Sequence, residues 1–384
     1  MSWPKVKLGA LCDTKSGGTP RRGNSEYYSG EIPWVKIGDL DAQNGVILDT
    51  DEKITEAGLA SIGNRIFEKG TILLSMYGSV GKVAIAGRKL AINQAILGLK
   101  IKDEKLLNPR YFVHWLRTIQ KELTHSARGG TLQNINQKMV RDVDVPLPPI
   151  EEQIRIADIL DKADEIKKNC AKTSEIRDEI IRSTFLDIFG DLNINPKGWK
   201  LVLLNDLVDK LGDGIHGTPV YDENGDYFFI NGTNLRDKKI KILENTKRVN
   251  ELEYLKHKKD LNASTMFVSI NGTVGNVAYY NGEPVMLGKS VCYFNVKESE
   301  VSKTYLYYLI KNNYFTNYAR GNSTGSTIRN LSLKAMRNFP IPLPPINIQN
   351  EFEILIQNIS EMGINLSIQN TELLSESITQ SLIG

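Results

Sequence analysis

Cysteine and histidine are scarce in this chain, three of one and four of the other among 384 residues. The cysteines (Cys12, Cys170, Cys292) are scattered and odd in number, which argues against a disulfide-stapled scaffold and fits a reducing compartment. The histidines (His114, His125, His216, His257) have no metal-binding spacing with each other or with cysteine, so no metal site is expected. No apolar run approaches the roughly 20 residues that a membrane-spanning helix needs. The start, MSWPKVKLGAL, has neither the apolar core nor the cleavage site of a secretory leader, and a cytoplasmic location is expected.

Motifs of self-contained chemistry are missing as well. YGSVGKV from Tyr77 looks like a phosphate-binding loop. A Walker loop, however, has glycine five residues before its Gly-Lys pair and Ser or Thr just after the lysine. Met76 and Val83 hold those positions, so a glycine turn between two strands is expected instead. There is no G-x-S-x-G elbow. The carboxylate–lysine groupings DTDEK (Asp49–Lys53) and KDEK (Lys102–Lys105) lie in polar stretches and read as solvated loops.

What the chain does have is a duplication. WPKVKL from Trp3 matches WKLVLL from Trp199, and SGGTP ending at Pro20 matches IHGTP ending at Pro219. GTILLSMYGSVGKVAI from Gly70 matches STMFVSINGTVGNVAY from Ser264, where Asn276 replaces Lys82. YFVHWLR from Tyr111 matches YLYYLIK from Tyr305, and TLQNI from Thr131 matches TIRNL from Thr327. Both copies then run into PLPPI, with a glutamine four residues past the last proline (Gln153, Gln349). Charge follows the same division. Residues 1–149 carry a net +6, 150–190 carry −3, 191–346 carry +5 and 347–384 carry −5, within a total of +3.

Each copy reads as an α+β domain followed by a helix. Short β-type runs such as TILLSMY, KVAIA and AILGLKI alternate with glycine turns, and an amphipathic helix is expected near Pro109–Leu123. Proline bars helix at PLPP but is tolerated at a helix start. Beyond it, Ile159, Ala163, Ile166, Cys170, Thr173, Ile180 and Thr184 fall at heptad-like steps. The second tail repeats this with Phe352, Leu355, Ile359, Met362, Leu366 and Leu373. The expected organisation is two mixed-β domains (1–149, 191–345) separated by two long helices (150–190, 346–384), paired antiparallel like a coiled coil about a pseudo-twofold axis.

The basic surplus lies in the globular blocks, where phosphate neutralisation would favour DNA, while the acidic tails suit protein partners. The glycine-bearing loops GGTPRRG, NQAI and ARGGTLQN, and their counterparts GIHGTP, INGTN, GKSV and ARGNSTGSTIRN, carry side chains that bond base edges and phosphates. The DNA contacts expected in the first domain are Arg21, Arg22, Lys36, Tyr77, Ser79, Lys82, Gln94, Arg128 and Gln133. In the second they are His216, Asn231, Asn234, Asn271, Thr273, Lys289, Arg320, Ser323 and Arg329.

Taken in order and in duplicate, GGTP and HGTP, IPWVKIGDL, GTILLSMYGSVGKVAI, AINQAI and PLPPIEEQIRIADIL resemble the specificity subunits of Type I restriction–modification systems across the whole chain. The resemblance implies two target-recognition domains, each reading half of a bipartite, asymmetric DNA site, with the helices as a ruler. It also implies no catalytic centre in this chain. S-adenosylmethionine, ATP and Mg²⁺ would belong to two modification subunits and to restriction subunits that dock as partners. Neither N-P-P-Y nor D-P-P-Y of an adenine methyltransferase occurs in the sequence. The rival readings are a stand-alone methyltransferase or nuclease and a duplicated scaffold that does not bind DNA.

Overall fold

The structure, a computed structural model, describes residues 3–41, 45–120, 135–324 and 330–362. The described residues form two units, one up to Ala171 and the other from Lys172 onward. Unit 1 holds a five-stranded sheet in the order Cys12–Ser16, Ile96–Ile101, Ile72–Ser75, Val83–Ala86, Val46–Ile47. Beside it lies a four-stranded sheet in the order Lys53–Ile54, Tyr28–Val35, Leu90–Ile92, Ile66–Phe67. Unit 2 repeats the plan with Val208–Asp213, Val291–Val296, Thr265–Ser269, Val277–Tyr279, and with Arg248–Val249, Tyr227–Ile230, Val285–Leu287.

The innermost strands, Ile72–Ser75 and Thr265–Ser269, are buried at every position because both of their faces are covered. Side chains alternate across a strand, so Ile72 and Leu74 enter one core while Leu73 enters the other. Met266 and Val268 part from Phe267 in the same way in unit 2. One core of each unit is capped by a short helix, Pro109–Thr118 or Lys303–Lys311. We call these the bracing helices. Cys12 and Cys292 are core fillers, and burial pushes their thiols far from reactivity, Cys12 up to about 12.

The repeated ends of each copy meet. Lys5–Lys7 pairs antiparallel with Asp144–Pro146, and Lys200–Leu203 with Pro340–Leu343. Prolines can sit in such two-stranded clasps because not every N–H is needed for pairing. Immediately afterwards the long helices begin, Ile150–Phe189 and Ile346–Met362.

The glutamine of the repeated junction is the fastener. Gln153 is fully buried; its Oε1 accepts the Asn108 N–H at 2.9 Å, and its Nε2 donates to Leu106 O and Pro148 O at 2.9 Å each. Gln349, equally buried, accepts the Ser302 N–H at 2.8 Å and donates to Pro344 O at 2.7 Å. Asn108 and Ser302 are the N-caps of the two bracing helices. One side chain therefore ties the proline turn, the long helix and the bracing helix together. A tyrosine seconds it, since Tyr111 Oη donates to Pro146 O at 2.9 Å and Tyr305 Oη donates to Pro342 O.

The first long helix has 40 residues, about 60 Å at 1.5 Å per residue. Its ends are core elements rather than part of a uniform stripe. Ile156, Ala157 and Leu160 are buried in unit 1, and Ile181, Phe185 and Phe189 in unit 2. This is why the division between units falls inside the helix. Of the expected heptad residues, Ile166 and Ile180 are exposed and Ile159 is half-buried. In the second helix Phe352 and Ile356 are buried while Leu355 is exposed; Leu366 and Leu373 lie outside the described residues. Phe185, Phe189, Tyr305 and Phe352 form an aromatic cluster, with ring centroids 4.9 Å apart for Phe189–Tyr305 and 5.2 Å for Phe189–Phe352.

Part of the acidity of the first helix has partners within unit 1. Arg110 pairs with Asp158 at 2.8 Å and Asp161 at 2.7 Å, His114 with Asp161 at 2.7 Å, and Arg117 with Asp164 at 3.1 Å. These carboxylates brace the domain against its helix.

Replacing Gln349 by leucine would leave the Ser302 N–H and the Pro344 carbonyl without partners. Each buried unpaired group costs about 1–3 kcal/mol. Chemical denaturation of Gln349→Leu is expected to show a loss of that order, with Gln153→Leu behaving alike.

Candidate nucleic-acid interface

Four loops of unit 1 are joined into one rim by backbone hydrogen bonds. Gly17 and Gly18 donate to Ile96 O (3.2 Å) and Ile92 O (2.9 Å), which lays the GGTP loop on the turn at Asn93–Ala95. Asn93 N–H donates to Val35 O at 3.0 Å, next to Lys36, and Met76 N–H donates to Ala95 O at 2.8 Å. Close approach explains the first glycine, because a Cβ on Gly17 would lie 2.0 Å from Ile92 O. The loop from Met76 to Lys82 is a hairpin turn fixed by Ser75, whose Oγ donates to Ser79 O at 2.5 Å and accepts the Lys82 N–H at 2.8 Å. Gly78 (φ +67°) and Gly81 (φ +85°) supply its left-handed backbone.

Unit 2 builds the same rim bond for bond. Gly214 donates to Val291 O (3.2 Å), Ile215 to Leu287 O (2.9 Å), Gly288 to Ile230 O (2.9 Å) and Ile270 to Ser290 O (2.9 Å). A Cβ on Gly214 would meet Leu287 O at 2.1 Å. Ser269 fixes its hairpin turn as Ser75 does, bonding Thr273 O and, at 2.8 Å, the Asn276 N–H. A further bond is shared, from Ile135 N to Met76 O (3.0 Å) and from Leu331 N to Ile270 O (2.8 Å).

On the first rim the expected side chains converge. Trp34, 1% exposed, donates Nε1 to Gly18 O at 3.0 Å and meets Tyr28 edge-on. Arg22 lies 5.1 Å from the centroid of each ring, within cation–π range. Glu52 accepts from Arg22 and, at 2.8 Å, from Lys36. Burial pushes the Glu52 carboxyl up, but hydrogen bonds from Lys36 and Arg22 outweigh it and hold the pKa below the ordinary value. Thr19 Oγ1 donates to Gln94 Oε1, and Lys82 pairs with Asp41. Arg21 and Ser79 are exposed and Tyr77 is half-buried. Arg128 and Gln133 lie outside the described residues.

On the second rim His216 is exposed, with Nε2 2.8 Å from Asp213 Oδ2. Asn231, Thr273 and Lys289 are exposed, and Asn271 is half-buried in a bridge to Asn330. Ser323, half-buried, donates to Ala319 O at 2.5 Å and pairs with Leu331, which brings it beside the hairpin loop. Arg320 is exposed at the end of helix Asn313–Asn322; Arg329 lies outside the described residues.

Asn234 needs correction. Expected as a DNA contact, it is 4% exposed, accepts the Asn231 N–H at 2.9 Å, and donates to Lys241 O (2.9 Å) and Thr246 Oγ1 (3.2 Å). It shapes the loop from within. Asp39 does the same in unit 1, accepting the Lys36 N–H at 2.6 Å. Sequence reading also passed over Glu52, placed in a solvated loop, and Tyr221 and Lys247, which face each other at 4.1 Å from ammonium to ring centroid. Only the pairing of strands brings those residues to the rim.

The chain resembles known proteins along its whole length. The family described as "Type I restriction modification DNA specificity domain" matches residues 2–178 and again 196–371. The MjaIX specificity subunit of Methanocaldococcus jannaschii, a Type I restriction enzyme component, is 27% identical, covering 94% of this chain and 88% of that protein. The EcoBI specificity subunit of Escherichia coli is 18% identical over 100% of this chain and 85% of its own. Among solved structures, the Type I S subunit from M. genitalium aligns with a TM-score of 0.60 at 17% identity, over 100% of this chain and 96% of that one. A chain from a study of Type I complex assembly aligns with a TM-score of 0.57 at 16% identity, over 100% and 97%. At such identities the structural likeness speaks to the fold.

Asn234→Ala and Lys289→Ala separate shape from contact. The first is expected to lower unfolding free energy by about 1–3 kcal/mol, through the unpaired Asn231 N–H and Lys241 carbonyl. The second should stay within about 0.5 kcal/mol of wild type while weakening retention on DNA. Thermal unfolding and DNA retention, measured on both variants, check this.

Proposed function

The chain belongs to the Type I restriction modification DNA specificity domain family, with one family domain in each half, and from that premise we propose that it is the DNA-reading subunit of a restriction–modification complex. Each rim reads one half of a split site. The observation that carries this reading is the duplicated loop rim. One backbone framework occurs twice and holds different side chains, as reading two different half-sites requires.

Lys82 and Lys289 with Arg21 and Arg320 supply positive charge at or near the rims, and charge of this sign favours phosphate. The amides and hydroxyls of Gln94, Asn231 and Thr273 suit base edges. The long helices are stiff by virtue of unbroken backbone hydrogen bonding and set the gap between half-sites. The helices dock two modification subunits, and restriction subunits join through those. In this reading the chain itself is non-catalytic and works in the cytoplasm. S-adenosylmethionine, ATP and Mg²⁺ act on the partner subunits.

Co-expression with a modification subunit followed by mapping of methylated adenines tests the proposal. A split asymmetric motif is expected, its halves roughly one helical turn apart centre to centre. Purified chain incubated alone with DNA, Mg²⁺ and S-adenosylmethionine should neither cut nor methylate. Turnover without partners would favour a stand-alone enzyme, and the lack of any salt-sensitive DNA retention would favour a scaffold.

A further inference from the structure

The two rims share a frame, so equivalent positions can be assigned by backbone bonding rather than by sequence similarity. Trp34 N–H donates to Glu52 O at 3.1 Å, and Phe229 N–H donates to Lys247 O at 2.8 Å. Glu52 and Lys247 therefore occupy one position, and Trp34 and Phe229 another. Lys36 and Asn231 are equivalent through the bonds that Asp39 and Asn234 make to their N–H groups. Arg22 and Tyr221 each follow the loop proline, Pro20 or Pro219, by two residues. Each rests on the same aromatic floor. Arg22 is 5.1 Å from the Trp34 centroid, and Tyr221 meets Phe229 edge-on at 5.8 Å.

At these three positions the chemistry is exchanged. Unit 1 has Arg22, Lys36 and Glu52, a carboxylate held between two cations. Unit 2 has Tyr221, Asn231 and Lys247, an ammonium held 4.1 Å from the tyrosine ring centroid. None of the six is buried. The Arg22 and Lys36 side chains are 59% and 39% exposed, and Tyr221 is 37% exposed. The charge at one position of this shared frame is reversed, from Glu52 to Lys247, while the backbone bonds that hold it are kept.

The geometry points to these two clusters as the specificity-determining part of each reader, with Glu52 and Lys247 facing bases of opposite hydrogen-bonding character. A carboxylate accepts from an exocyclic amino group, as on cytosine, whereas an ammonium donates to O6 and N7 of guanine. Arg22 and Lys36 offset the repulsion between Glu52 and nearby phosphates and aim its free lone pairs. Tyr221 confines the Lys247 stem, which otherwise has many rotamers to lose on binding.

This inference rests on the proposed DNA-reading function, and one experiment separates the two. Duplexes are selected from a randomised pool by the full-length wild-type chain and by Glu52→Gln and Lys247→Met. The wild type should enrich a split motif. E52Q should change preference about tenfold or more at one base pair in one half only, and K247M at one base pair in the other half only. Arg22→Gln and Tyr221→Leu, on the opposite member of each pair, read the same two positions independently of the first variants' stability. If all four variants return the wild-type motif and lose only overall affinity, the clusters touch phosphate and the inference is wrong. If the wild type itself enriches no motif, the DNA-reading function fails and takes the inference with it.

Discussion

A side-chain amide sealed from water holds each half of this protein together where a domain turns into a rod. The proline turn creates the need for it. Proline offers carbonyl acceptors without N–H donors, so Pro148 and Pro344 leave acceptors in a dry junction. Glutamine supplies donor and acceptor from one planar group, and placed four residues past the last proline it starts the helix with its own N–H bonded to the Pro149 or Pro345 carbonyl. Glutamate cannot donate at neutral pH and leucine can do neither. A small angular error here would be magnified along a helix of about 60 Å. That lever arm explains why the junction is over-determined by the buried glutamine, the tyrosine to the proline carbonyl, and the capped bracing helix.

The rims follow a complementary logic. Their backbones are fixed by interior bonds, among them those of Ser75 and Ser269, Asp39 and Asn234, and the close-packed glycines Gly17 and Gly214. Their outward side chains are thereby free to differ without disturbing the frame. The frame and the side chains that differ between the two rims are carried by different residues.

Much of this was legible in the sequence because it was written twice. The repeat marked the segments that form the clasps, the hairpin turns and the proline–glutamine junctions at the starts of the long helices. What stayed hidden depends on contacts between residues far apart in the chain. Glu52 looks like one acid of a polar loop until strand Lys53–Ile54 pairs with Tyr28–Val35 and delivers it to Arg22, 30 residues earlier. Asn234 has the composition of a base reader but the environment of a core polar group. The heptad pattern of the first helix misled in its outer turns, since Ile156, Leu160, Phe185 and Phe189 obey the cores of the domains they enter. Asp158, Asp161 and Asp164 likewise look free for a partner, yet bond the bracing helix.

Hydrogen exchange on the full-length chain, with and without duplex DNA, tests most directly whether the rims or the rods hold the nucleic acid. The account predicts added protection at the loops Gly17–Gly23, Met76–Lys82, Gly214–Val220 and Asn271–Asn276, with the middle of helix Ile150–Phe189 unchanged. Protection along that helix, with the rim loops exchanging as before, would contradict it.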